Sequence, residues 1–128
     1  MSGGEQEGSH HVWQYGREVA MSRFDDFADA VLKGAKDLAK NSFGGFVDEA
    51  ANDAQAFLDK AQADLQRWAK LLANGKLTKE DFSDLVQAKK ALAEIHALTQ
   101  AGITLTKIER FRSDLINLVI DSAFDIFL

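Results

Sequence analysis

Residues 46–73 read FVDEAANDAQAFLDKAQADLQRWAKLLA, and the fold class turns on how the apolar side chains fall in this stretch. Val47, Ala51, Ala54, Leu58, Ala61, Leu65, Trp68 and Leu72 step by four and three without interruption. That spacing keeps one side of an α-helix apolar, whereas a half-buried strand needs alternation by two. Ala50, Phe57 and Ala69 widen the stripe to the face required of a helix packed among several neighbours. The alanines of the first half let a neighbouring helix approach closely, and Leu65, Trp68 and Leu72 supply volume at the far end. Asn74-Gly75 stops the helix, glycine being suited to the left-handed residue that follows a last turn.

The same period extends on both sides. Upstream, a helix is expected from about Ser22 to Lys40, with Phe24, Ala28, Val31, Ala35 and Leu38 facing inward. Asp25 and Asp26 in its first turn and Lys40 in its last complement the helix dipole. Downstream, Thr78 is placed to cap a third helix, with Glu80 and Asp81 in its first turn and Leu77 set to staple against Phe82. Phe82, Leu85, Lys89, Leu92, His96 and Thr99 lie on one line of this helix, flanked by Val86, Ala93 and Ile95. Gly102 ends it, with Ile103 reaching back to Leu98. A fourth helix, capped by Thr104 or by Thr106, runs through Ile108, Phe111, Leu115, Leu118, Val119, Ala123 and Ile126.

Connections of roughly three to five residues force successive helices antiparallel, and coiled-coil-like heptads imply shallow crossing. The expectation is an all-α fold, an antiparallel up-down-up-down four-helix bundle over residues 19–128. Residues 1–18 read as a flexible arm, with Gly3, Gly4, Gly8 and Ser9 beside polar neighbours. Val12, Trp13 and Tyr15 give that arm apolar side chains able to dock on the bundle or on a partner.

The run Leu71-Leu72-Ala73-Asn74-Gly75-Lys76-Leu77-Thr78-Lys79-Glu80-Asp81-Phe82 resembles the helix-turn-helix of short bacterial C-terminal oligomerisation modules of the SHOCT type. The resemblance covers this hairpin alone, lies in mid-chain, and carries no function across.

Composition narrows the functional classes. The chain of 128 residues fits one domain and contains no proline, the residue that long helices exclude. With no cysteine, disulfides, thiolate nucleophiles and cysteine zinc sites are ruled out. A formal charge of -5 repels phosphate backbones, so nucleic acid is not an expected partner. No apolar run is long enough for a membrane span, and Met1-Ser2-Gly3-Gly4-Glu5 lacks the basic and apolar regions of a secretory signal. The expected address is cytoplasmic.

The fourth helix carries the main candidate for an interaction surface. Asp114, Asn117, Asp121 and Asp125 form one narrow polar strip on it, while apolar residues cover more than half its circumference. A helix at the corner of a lone bundle buries only a stripe. The excess predicts either a second covered surface or a helix at the centre of the fold. The first reading makes the protein a non-enzymatic interaction or structural protein, a homo-oligomer docking through Ile116, Ile120, Phe124 and Phe127. The alternative is a membrane-active or lipid-associating protein exposing the same face, although bilayer-surface helices usually carry basic rather than acidic polar strips.

Three further clusters of polar residues are candidates for chemistry. Lys89 and His96 share the inward line of the third helix and form a candidate buried polar pair, in which burial would lower both pKa values. The plainer reading is a core-edge histidine and a lysine whose stem packs while its amine reaches water. Lys107, Arg110 and Arg112 crowd the start of the fourth helix, where positive charge opposes the dipole, and are a candidate anion contact. Carboxylate pairs such as Glu49 with Asp53, or Asp121 with Asp125, lack the Glu-x-x-His partners of a di-metal bundle, so no metal site is expected. No cofactor, small-molecule substrate or catalytic residue is implied.

Overall fold

The computed structural model describes the backbone of residues 11–128 and the side chains of residues 23–128. All its regular elements are helical: α1 (His11–Phe43), α2 (Val47–Ala73), α3 (Lys79–Ala88), a 3-10 turn (Lys90–Leu92), α4 (His96–Gln100) and α5 (Leu105–Phe127). The all-α class follows, with no strand among the described residues. Helix α1 starts at His11 instead of near Ser22, so residues 11–18, assigned above to the arm, are helical in backbone. The remainder of that arm, residues 1–10, lies outside the described residues.

Neighbouring elements meet end to opposite end. In α1 and α5, Phe27 stacks near Phe127 with ring centroids 5.7 Å apart, and Phe43 near Phe111 at 5.9 Å. Arg23 ties the same pair by donating from Nη2 to the carbonyl of Ile126 at 2.8 Å, satisfying an acceptor left over by the last turn of α5. In α3 and α5, Phe82 meets Phe124 at 5.9 Å, while Lys90 Nζ, just past α3, donates to Ser113 Oγ at 2.7 Å. Helix α2 runs against the segment after α3 through Asp64–Lys89 at 2.7 Å and Lys60–Glu94 at 2.5 Å.

The buried side of α1 is Phe27, Val31, Ala35 and Ala39, with Phe24, Ala28 and Leu38 half-buried at its edges. That line is rotated from the expected one because α1 packs on both α2 and α5. Helix α2 buries Ala50, Ala54, Phe57, Leu58, Ala61, Leu65, Trp68, Ala69 and Leu72. Gly34 leaves room for Leu118 of α5 against α1, since a Cβ there would stand 2.5 Å from a methyl of that leucine.

The hairpin signals act locally as expected. After α2, Lys76 N–H reaches Leu71 O at 2.9 Å and Gly75, at φ 74°, donates to Leu72 O at 3.1 Å, the paired bonds of a Schellman stop. Thr78 Oγ1 then accepts from Asp81 N at 3.0 Å and opens α3. Thr104 is the residue before α5, so the earlier of the two candidate starts applies, although its side chain makes no cap bond.

The third helix departs from the expected form. Instead of one rod there are ten residues of α3, a 3-10 turn and five residues of α4. The backbone leaves helical geometry at Ala93, with ψ 74°, and at Ile95, with ψ 85°. No proline or glycine stands between Lys79 and Ala101. The break is therefore imposed from outside the segment.

Candidate functional site

The break is held by two charged side chains from other helices. Asp53 of α2 is only 3% exposed. Its Oδ1 accepts from His96 N at 3.1 Å and Ala97 N at 2.8 Å, and its Oδ2 accepts from Leu98 N at 2.9 Å. These are first-turn amides of α4, which have no acceptor within their own helix, and a carboxylate is the strongest acceptor the chain can offer them. On the other side of the break, Arg112 Nε of α5 donates to Ala93 O at 2.7 Å. In a continuous helix Ala97 N–H would bond Ala93 O. Here that bond is opened along with those expected from His96 and Leu98, and the carboxylate takes the three amides while the guanidinium takes the Ala93 carbonyl.

Re-phasing explains where the expected polar pair goes. At roughly 100° per residue, a helix in phase with Phe82 and Val86 turns Lys89, Ala93, His96 and Gln100 inward and Ile95 and Leu98 outward. The break turns Ile95 and Leu98 inward, to 4% and 0% exposure, while Ala93 stays buried at 0%. Lys89 and His96 are accordingly not a buried pair. The His96 side chain is 73% exposed and its Nε2 lies 3.3 Å from Glu94. Lys89 is half-exposed, bonds Asp64 and stands 5.8 Å from the centroid of the Trp68 ring.

Two surface carboxylates feel these arrangements. The hydrogen bond from Lys89, then that from Arg67, holds Asp64 below its ordinary pKa. Lys60, and after it His96, does the same to Glu94.

The apolar face of α5 is not a free surface within the described chain. Ile116, Ile120 and Phe127 are core residues at 0%, 6% and 8% exposure, and Phe124 is half-buried beside Phe82 with Lys79 Nζ 5.3 Å from its ring centroid. The reason is position. Helix α5 packs against α1, α2, α3, the 3-10 turn and α4, so the breadth of its apolar face fills the centre of one chain. Ile116, Ile120 and Phe127 thus pack within one chain, and of the four side chains Phe124 alone keeps a half-exposed ring.

Lys107, Arg110 and Arg112 differ in their surroundings. Arg112 is engaged by Ala93 O and by its ion pair with Glu109, while Lys107 and Arg110 remain exposed. No group of three or more His, Asp or Glu is arranged as metal donors among the described residues.

A different feature is exposed at one end of the molecule. Phe46, in the turn between α1 and α2, has φ 60° and ψ 34° and is 40% exposed. Leu105, the first residue of α5, is 74% exposed. Both lie at the end marked by the Phe43–Phe111 contact, with Phe43 and Ile103 half-buried there. A left-handed conformation is costly for a side chain with a Cβ, and neighbouring Gly44 adopts one freely at φ 72°.

Comparison of the chain with models of known families, with curated proteins and with solved structures finds no match. The site has to be read from its own chemistry.

Sequence reasoning missed Asp53 as a cap because its partners lie 43 to 45 residues away, and no local pattern signals such a bond. One clue was available: Asp53 lies beside Ala54 at the edge of an apolar stripe, where a carboxylate needs a donor. The helical period of residues 46–73 gives Phe46 no special backbone. A phenylalanine directly after two glycines carries no sign of its backbone angles.

Proposed function

We propose that the protein is a non-enzymatic interaction protein, an antiparallel four-helix bundle with a broken third rod, which associates with a second copy of itself through the end carrying Phe46 and Leu105. The opposite-end pairings Phe27–Phe127, Phe43–Phe111, Phe82–Phe124 and Asp64–Lys89 support the bundle. With the broad face of α5 buried, self-association moves from its middle to its first turn.

The observation that carries this reading is Phe46. Holding a non-glycine residue in the left-handed region costs about 1–2 kcal/mol. The ring, 40% exposed, returns a similar amount through packing, so the strained conformation brings no net gain within the lone chain. Strained backbone under an exposed aromatic is the pattern of a recognition anchor, and aromatic side chains dominate binding hot spots. Leu105 adds apolar area at the same end. The patch is small, so association is weak, in the micromolar range or above. A cytoplasmic setting is part of the same proposal, since cysteine-free helical bundles need no oxidising compartment.

Sedimentation equilibrium across micromolar concentrations tests it. The wild type is expected to show a concentration-dependent mass that falls to the monomer value in Phe46→Gly and in Leu105→Asp. A wild-type chain that is strictly monomeric, or an oligomer untouched by both substitutions, rejects self-association at this end.

One observation favours a second reading. Lys40, Lys107 and Arg110 are exposed at the end that presents Phe46 and Leu105, interspersed with Asp37, Asp48 and Glu109, and the basic groups beside apolar ones are what an anionic bilayer surface would meet. No helix among the described residues is long and apolar enough to cross a membrane. Flotation with vesicles containing phosphatidylserine separates the two readings, and recovery of the protein only at the bottom of the gradient eliminates this one.

A further inference from the structure

We infer that residues 79–100 have a second conformation, a single continuous helix, and that Asp53 and Arg112 together select the broken one. Local sequence favours continuity. Ala88 to Leu98 contains four alanines, two leucines, two lysines and a glutamate and no residue that stops a helix. Against that preference stand the two charged side chains that open the Ala97–Ala93 bond and satisfy its halves, Asp53 at 2.8 Å and Arg112 at 2.7 Å.

The two conformations present opposite faces. In the broken one, Ile95 and Leu98 are buried, and Lys89 and His96 reach solvent. In the continuous one, the helical period carries Ile95 and Leu98 to the outside, keeps Ala93 inside and brings Lys89, His96 and Gln100 toward α2 and α5. The broken state gains apolar burial, but reaches it only while the amides of His96, Ala97 and Leu98 have an acceptor in place of Leu92, Ala93 and Glu94 carbonyls. Asp53 is that acceptor. The segment is thus a bistable element whose balance rests on one buried carboxylate and one guanidinium.

The test replaces Asp53 by asparagine in the full chain, which keeps the shape and removes the charge. NMR reads the outcome through Cα shifts and amide exchange over residues 79–100. The inference expects Ala93, Glu94 and Ile95 to move to helical Cα shifts while the amides of His96, Ala97 and Leu98 stay protected by intrahelical bonds. In the Asp53→Asn background, Leu98→Gln should shift the unfolding equilibrium at least about tenfold less than in the wild type, because Leu98 has left the core.

Unchanged shifts at Ala93–Ile95, or loss of both helical shifts and protection across residues 89–100, overturn it. Should Asp53→Asn fail to fold, a re-phased chain keeps the question open to test. Lys89→Leu, His96→Leu, Ile95→Gln and Leu98→Gln, with Asp53 and Arg112 retained, should fold with uninterrupted helical shifts from Lys79 to Gln100. A re-phased chain that is unfolded, or still broken at Ala93, equally overturns the inference.

Discussion

Gly34 sets the separation of α1 and α5, and its effect can be isolated at the scale of one residue. An alanine in a helix interior is favoured over glycine by about 1 kcal/mol. At position 34 its Cβ would meet Leu118 at 2.5 Å, so the propensity gain is offset by displacement of a leucine packed against the core. Gly34→Ala should therefore be neutral or destabilising in the wild type and stabilising by about 1 kcal/mol in a Leu118→Ala background. Equal effects in both backgrounds, measured by urea unfolding, would show that the close approach has no energetic consequence. The ion pairs of Asp64 and Glu94 make a separate prediction about acid. Both folded pKa values lie below their unfolded ones, so their contribution is fully present above the ordinary carboxylate range and is lost as pH falls through the lowered values. Below about pH 4 the wild type should lose more stability than Lys89→Gln or Lys60→Gln. Because the pairs are on the surface, 0.5 M salt should shrink the difference, and parallel pH profiles for all three chains would refute the assignment.

At the scale of an element, α3 is the most dependent on its ends. It has ten residues, too few for an isolated helix to hold in water, and buries only Phe82 and Val86. Its first turn is secured by Thr78, whose hydroxyl accepts from Asp81 N. Thr78→Ala should cost about 1 kcal/mol, and amide exchange should quicken first at Asp81 and Phe82. Thr104, by contrast, makes no cap bond at the head of α5. Thr104→Ala should change stability by well under about 0.5 kcal/mol, and a loss as large as that of Thr78→Ala would contradict the geometry. The hairpin between α2 and α3 was fully legible in the sequence, because a glycine stop and a threonine cap act through neighbours a few residues apart. The broken third rod was not. Its side chains carry a clean helical period, and the reason for interrupting it sits on α2 and α5.

For the whole molecule the central question is whether α5 is a corner or a core. Ile116 and Val119 are both at 0% exposure, with Ile120 at 6%. Placing aspartate at Ile116 puts a charge into a fully buried core position, a cost of several kcal/mol. That exceeds a large share of the stability of a domain this size. Ile116→Asp should abolish the cooperative unfolding transition followed by circular dichroism. A well-folded monomer from the same substitution would return these side chains to an interface. Phe46→Gly should behave in the opposite way: relief of left-handed strain offsets loss of a partly exposed ring, and unfolding stability should stay within about 1 kcal/mol of the wild type.

The sequence alone determined what short-range chemistry can determine: helical class, most of the apolar faces, and the stops at Gly75 and Gly102. Each of these depends on residues within one or two turns of each other. Tertiary structure decided which apolar face is central, where the third rod breaks, and which charged groups are buried. Those outcomes depend on bonds such as Asp53 to Ala97 and Arg112 to Ala93, and a donor and acceptor far apart in sequence meet only once the helices have packed.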